Sequence, residues 1–520
     1  MGPLSRPNNG SGHWSQSTAR LKGAIVRFSY SATPGSQGER HISLGNSTRS
    51  HPMNRATAQL LRGLSLVDTT ALVIGTVIGT GVFLKAAPMA QAVGSPALVL
   101  LAWVAAGLLS LAGALTYAEL GAMMPEAGGE YVFLRKSYGE AVAFLFGWQR
   151  FIVAGSASIA TLGTGFAIFL SSFLPLGAVW LERDISLLGQ TLHWQFGAKQ
   201  LVAVAVILLM SGINCLTIVV GGRVQLVLTI LKVAGIAFLV MGVFTASGTA
   251  TWSHLRQPVD TPVWSGWTLF GTAMLAALWG YDGWNNMPMA AGEVRNPGRN
   301  IPRALVLGMV VVMSIYCLLN LCYFYALPME EVRSSNSTQY RDALPVASKA
   351  AGTFLGDFGG RFIALVFVVS ACGALNGSIL SNARVPFAMA RDGLFFSRLG
   401  QLNTNTRAPV ACLIVQAIWA SVLALSGTFD QLTDCLLFAA WIFYALVTSS
   451  IFVLRRKLPN ADRPYRTLGY PVIPLVFICV AIWLILNTFL TKRVESVAGL
   501  TLIAAGIPLY LYFKRSAVTL

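Results

Sequence analysis

Two hydrophobic stretches contain residue types that a membrane-length apolar helix rarely holds together. The first reads Leu72-Val-Ile-Gly-Thr-Val-Ile-Gly-Thr-Gly-Val-Phe83, with Gly75, Gly79 and Gly81 close together near its middle. The second reads Ala277-Leu-Trp-Gly-Tyr-Asp-Gly-Trp-Asn-Asn-Met-Pro288 and adds Asp282, Asn285, Asn286 and Pro288 to its glycines. Such residues interrupt a helix. An interruption leaves unpaired amides at the new N-terminus and unpaired carbonyls at the new C-terminus. The amide end favours an anion and the carbonyl end a cation. A zwitterion whose carboxylate and ammonium are one carbon apart matches two such breaks crossed against each other. Glycine permits the unwound backbone and its close approach to a ligand. Thr80 adds a hydroxyl for the carboxylate, and Trp279 an aromatic wall.

The elements that must hold these breaks are legible from composition. The chain has 520 residues, 55% hydrophobic and 11% charged. That is too little charge to cover a soluble protein of this length. The apolar residues form runs of roughly 20, enough to cross a hydrocarbon core, and in lipid such runs must be helices. The pattern predicts an all-α integral membrane protein. Its twelve transmembrane helices lie near 66–90, 97–123, 140–173, 199–218, 224–246, 267–291, 303–327, 361–389, 409–426, 431–454, 470–490 and 497–513, with spans 1 and 6 discontinuous. Five spans separate the starts of the two breaks. This divides the chain into residues 58–250 (spans 1–5), 251–456 (spans 6–10) and 457–520 (spans 11–12 and the C-terminus). Interrupted segments at matching places in two halves point to a transporter binding site. The loop at 328–360 is the largest on its side and is expected to carry a short helix near 345–355.

Charge distribution sets orientation. The net charge is +17. About two dozen Lys and Arg fall in the loops on the side of the termini, against about seven on the other, so both termini are expected in the cytoplasm of a plasma or inner membrane. This loop alternation argues against nucleic acid as partner. Residues 1–57 read as a disordered basic tail without a signal-type apolar run, and Met53 is a second candidate start. The seven cysteines lie in or beside apolar spans without a CxxC pair, and the five histidines lie in the tail and loops. No metal site, cofactor or catalytic residue is expected. There is no nucleophile–base pair and no P-loop, so the chain does not read as an enzyme.

Taken together, Gly75-Thr-Val-Ile-Gly-Thr-Gly-Val-Phe83, Gly128-Gly-Glu-Tyr131, Gly280-Tyr-Asp-Gly-Trp-Asn285, Asn296-Pro-Gly-Arg-Asn-Ile-Pro-Arg303, Asn376-Gly-Ser378, Ala390-Arg-Asp-Gly393 and Arg463-Pro-Tyr-Arg466 resemble the amino acid–polyamine–organocation superfamily, near its L-type amino acid transporter branch. The resemblance covers about 62–512. It implies a LeuT-like inverted five-plus-five repeat with two extra helices, and secondary transport of amino acids by alternating access, as a sodium-independent exchanger or a proton-linked carrier. It further implies that Thr80 and Gly81 donate to the substrate carboxylate, and that the carbonyls of Val77, Trp279 and Asp282 receive the amino group. Trp279 would be the aromatic gate, and Asn376 would support the unwound segment or a nearby water. The substrate site so drawn comprises Val77, Ile78, Gly79, Thr80, Gly81, Trp279, Gly280, Tyr281, Asp282 and Asn376.

Lys232 lies deep in span 5, where a buried lysine is costly and usually functional. The resemblance places it where sodium-coupled relatives of the fold bind sodium, and implies contacts with the broken first helix and with span 8. Asp282 has two readings: a carboxylate that attracts cationic side chains, or a cap on the second half-helix. Glu119, Glu293 and Arg384 read as structural pairs or as an inner gate. Trp264, Trp267 and Trp284 read as interfacial anchors or gate residues. Animal L-type members join a glycoprotein heavy chain through a cysteine between spans 3 and 4. Residues 174–198 hold none, so no disulfide-linked partner is expected. The alternatives are a polyamine or other organic-cation carrier and a membrane amino acid sensor that does not transport.

Overall fold

The computed structural model describes residues 18–21, 24–27 and 60–518, apart from 188–189, 247–249, 257–266, 338, 341–342, 427–428 and 492. The chain divides into two compact units, Met1–Ala56 and Thr57–Leu520. In the first, β1 (Thr18–Leu21) pairs antiparallel with β2 (Ala24–Arg27). The sequence shows no sustained periodicity there, but Ile25 and Val26 are β-branched and suit a strand. The rest of the expected tail, Met53 included, lies outside the described residues.

The second unit is helical. α1 (Leu66–Val77) starts on a capping box: Asp68 Oδ2 accepts from the Ser65 amide at 3.0 Å, and Ser65 Oγ accepts from the Asp68 amide at 3.3 Å. It is followed by the short α2 (Gly81–Leu84). α3 (Pro96–Met123) begins with a proline at its first turn, where no amide partner is lost. α4 (Glu130–Tyr138) links α3 to the next span. That span runs from Glu140 to Leu170 through a π-helical segment, Gln149–Ala154, into α5 (Gly155–Leu170). β3 (Val179–Leu187) and β4 (Gln190–Gly197) form a hairpin in the stretch expected to be a plain loop. After the helix Ala198–Cys215, α6 (Ile218–Thr245) is capped by Thr217. Then come α7 (Trp267–Tyr281), α8 (Asn286–Met289), α9 (Pro297–Ala326), α10 (Phe358–Asn382) and α11 (Phe429–Lys457). A short helix, Val346–Leu355, stands where one was expected.

Among the described residues, ten helices are long and apolar enough to cross a membrane. Two further expected spans are shorter. Val410–Ser426 has 17 residues, and α7 has 15 because it stops at the second interruption. Many side chains on the outer faces of the long helices are apolar and exposed, including Leu209, Val227, Ile230 and Met241. Such a surface suits lipid rather than water. α1 and α10 lie at the centre, packed against each other, with α6 and α9 also against α1.

Candidate functional site

Both interruptions are real breaks, and both are shorter than the sequence pattern. α1 continues through Gly75 to Val77. The Ile78 amide still bonds to Ile74 at 2.9 Å, and Gly79 turns back on the Val77 carbonyl at 2.8 Å. Only 78–80 are unwound before α2 begins. Likewise α7 continues through Gly280 to Tyr281, and 282–285 are unwound before α8.

The two breaks cross in contact. A Cβ on Gly81 would sit 2.6 Å from the Cα of Gly280, so backbone meets backbone there and only glycine fits. The Thr76 hydroxyl reaches the Gly283 carbonyl at 3.1 Å as well as that of Leu72, one turn back, at 2.7 Å. A second tie comes from α9. The Tyr316 hydroxyl is 2.9 Å from the Val77 carbonyl and 2.8 Å from the Gly280 carbonyl, in a wholly buried site.

A cavity of about 100 Å³ opens at this crossing. Of the expected site residues, Val77, Gly79, Thr80, Gly81, Trp279, Gly280 and Asp282 line it. Ile78, Tyr281 and Asn376 do not. The Ile78 side chain is packed in the core, with its carbonyl turned toward Lys232. The Tyr281 hydroxyl donates to the Trp103 carbonyl at 3.2 Å. Asn376 spends its amide on neighbouring helices: Oδ1 accepts from Asn214 at 2.8 Å, and Nδ2 donates to Gln225 Oε1 at 2.8 Å and to the Gly221 carbonyl at 3.2 Å. Trp279 is half-buried, and the Lys85 ammonium lies 4.5 Å from its ring centre.

Lys232 is fully buried below the first break. Its ammonium donates to the carbonyls of Ile78 at 2.7 Å, Gly75 at 2.9 Å and Ser370 at 3.0 Å, which matches its three protons. Ser370 on α10 adds its hydroxyl to the carbonyls of Ile78 at 2.9 Å and Gly79 at 3.1 Å. A single cation therefore joins α6, the carbonyl end of α1 and α10.

Asp282 does not cap the second half-helix. The residue before α8 is Asn285, and no side chain caps that helix. The Asp282 carboxylate instead accepts from Tyr444 on α11 at 2.6 Å. Tyr444 also lines the cavity, as do Arg150 and Asn286. Arg150, on the π-helical segment, donates from Nε to Asn382 Oδ1 at 2.7 Å and from Nη2 to Asn286 Oδ1. Behind them Glu130 is fully buried, accepting from the Tyr117 hydroxyl at 2.7 Å and Asn285 Nδ2 at 3.2 Å. Burial raises its carboxyl to about 7, against the opposing pull of Arg150 and these two donors.

Tyr316, Ser370, Arg150, Tyr444 and Glu130 were not assigned roles from sequence. Arg150 carried a signal, as a charge inside an otherwise apolar span. Glu130 lies in the Gly128-Gly-Glu-Tyr131 segment, but only tertiary packing buries it against Tyr117 and Asn285. Tyr316 and Ser370 look like ordinary helix residues.

Other charges pair near the ends of the spans. Arg384 binds Glu293 through Nε at 2.8 Å and Nη2 at 3.0 Å, both side chains buried. Glu119 holds Arg455 at 2.8 and 3.0 Å and accepts the Thr467 amide at 2.7 Å. Asp392 meets Arg135 at 2.6 Å and the Tyr131 hydroxyl at 3.0 Å. Burial raises its carboxyl, with Tyr131 and Arg135 opposing. Trp284 is buried edge-on against Tyr117 at 4.7 Å, not at an interface. Trp264 lies outside the described residues, as does the Trp267 side chain.

The sequence profile of the amino acid permease family matches residues 64–513. The serine/threonine exchanger SteT of Bacillus subtilis (strain 168) is 31% identical over 459 residues, covering 88% of this chain and 98% of the relative. The human b(0,+)-type amino acid transporter 1 is 28% identical over 468 residues, 88% of this chain and 89% of the relative. The human cystine/glutamate transporter is 26% identical over 483 residues, 92% and 90% respectively.

Proposed function

The chain belongs to the amino acid permease family, and from that premise we propose that it carries α-amino acids across a membrane by alternating access, as a sodium-independent exchanger or a proton-linked carrier. The observation that carries this reading is the crossing of two broken helices at one cavity. The amide end of α2, with Thr80 and Gly81, faces the substrate carboxylate. The carbonyls of Val77, Trp279 and Asp282 receive its ammonium. The Val77 carbonyl has a second lone pair beyond the one that Tyr316 engages, so both can bind it.

Lys232 fills the position of a coupling cation. Its charge already neutralises the carbonyl end of α1, which leaves no electrostatic call for sodium there. The fold we propose has twelve spans, an inverted repeat of spans 1–5 (58–250) and 6–10 (251–456) with two further helices, and both termini in the cytoplasm. The chain is proposed to work without a disulfide-linked heavy chain, since 174–198 holds no cysteine.

Counterflow in proteoliposomes tests the reading. Vesicles loaded with unlabelled amino acid should accumulate labelled amino acid at the same rate in sodium and in choline. Sodium-dependent exchange would overturn the role given to Lys232. Equal binding of an amino acid and its decarboxylated amine would favour an organic-cation carrier. Binding without exchange would favour a sensor.

A further inference from the structure

The cavity is lined by a carboxylate, Asp282, and a guanidinium, Arg150, that do not pair with each other. Asp282 accepts from Tyr444, and Arg150 donates to Asn382 and Asn286. Among the described residues Arg150 forms no ion pair, although only 6% of it is exposed. A buried cation that is hydrogen-bonded to amide oxygens and lacks an ion-pair partner is costly.

The Arg150 position is built. It sits on a π-helical segment, a distortion frequent at functional sites. Asn382 reaches it across Gly155, where a Cβ would lie 2.8 Å from Asn382 Oδ1 and 2.5 Å from the Arg150 carbonyl. Glu130 is the other carboxylate nearby. It is engaged by Tyr117 and Asn285 and does not line the cavity.

We propose that Arg150 and Asp282 form a bipolar side-chain subsite, selecting amino acids with a short neutral polar side chain that both donates and accepts, a hydroxyl or a carboxamide. The inference rests on the amino acid transport reading and deepens it. A lysine or arginine side chain would meet Asp282 but be repelled by Arg150. A glutamate side chain would meet Arg150 but be repelled by Asp282. An aliphatic side chain would leave both charges desolvated and unbridged, the loss that makes a polar site reject an apolar isostere. A hydroxyl or carboxamide gives its hydrogen to Asp282 and takes one from Arg150. This turns Asp282 from a selector of cations into half of a neutralising pair.

Counterflow by the full chain in liposomes, with threonine against its isostere valine, and with lysine and glutamate, tests this. The wild type is expected to prefer threonine over valine by about tenfold or more and to exchange lysine and glutamate poorly. Arg150→Gln should cut the threonine-to-valine ratio to about twofold and raise lysine relative to threonine. Asp282→Asn should raise glutamate instead. Arg150→Lys keeps the charge but loses the planar fork, so it should weaken threonine without admitting lysine. Equal exchange of threonine and valine by the wild type overturns the proposal even if no variant folds. So does an Arg150→Gln protein with unchanged ratios. A wild type that exchanges no amino acid overturns the transport reading itself.

Discussion

The hydroxyl of Tyr316 lies 2.9 Å from the carbonyl of Val77, and from the same oxygen 2.8 Å from the carbonyl of Gly280. One side chain on an unbroken helix therefore fastens the ends of two broken ones. Its single proton serves one carbonyl at a time, so a substrate ammonium arriving at the Val77 carbonyl can let the hydroxyl shift to Gly280 without breaking the tie.

Tyr316→Phe removes that tie and little else. It removes the one proton that the two buried carbonyls share, at about 1–3 kcal/mol. Exchange is expected to fall about tenfold, with expression retained and the melting temperature lowered. Wild-type exchange by this variant would mean that the crossing is held by Thr76 and packing alone.

Lys232→Met is expected to be more severe. The carbonyls of Gly75, Ile78 and Ser370 lose their shared donor, and desolvated carbonyls are expensive to leave unpaired. Transport should drop at least tenfold and added sodium should not restore it. Lys232→Arg should fail too, because a planar guanidinium cannot replace a compact ammonium on three converging carbonyls. Rescue of Lys232→Met by sodium would show that the site can still hold an ion.

Gly81→Ala probes the crossing itself. The added methyl meets the Gly280 backbone at 2.6 Å, and backbone cannot rotate aside as a side chain can. Substrate affinity, read by thermal shift, should be lost while the fold persists. Unchanged affinity would place the cradle elsewhere.

Glu130 gives the protein a pH dependence. Its carboxyl is raised from 4.5 to about 7, first by burial, with Asp282 adding to the rise. Arg150 on the π-helical segment, Tyr117 on α3 and Asn285 at the second break oppose the rise. The folded chain thus holds a proton that the unfolded chain has released between these two values. Stability from this group is full below about 4.5 and is lost as pH rises through about 7. The melting temperature of the purified protein should fall between pH 5 and about 8, and Glu130→Gln should flatten that slope. Equal slopes in the two proteins would assign it to other groups.

Much of this arrangement was legible in the chain. Hydrophobic run length alone dictates helices, because lipid offers the backbone no other partners. The glycines crowded around Thr80, and the Asp and Asn residues after Trp279, marked both interruptions, since polar residues and clustered glycines at membrane depth need a reason beyond span length. Lys232 stood out because an ammonium in hydrocarbon must have a reason. The sequence could not show how far each break extends. Gly75 and Gly280 remain helical, and they are glycines for close packing rather than for unwinding. Nor could it show who pairs with whom. Tyr316 is 239 residues from Val77, and Asn382 is 232 residues from Arg150. Asn376 reads like a site residue and is turned away from the cavity by its bonds to Asn214 and Gln225. The composition of the chain determined its solvent, its helices and where they break. Only the packed structure decided which polar groups face the cavity, because a helix residue's direction is fixed by what its neighbours leave open.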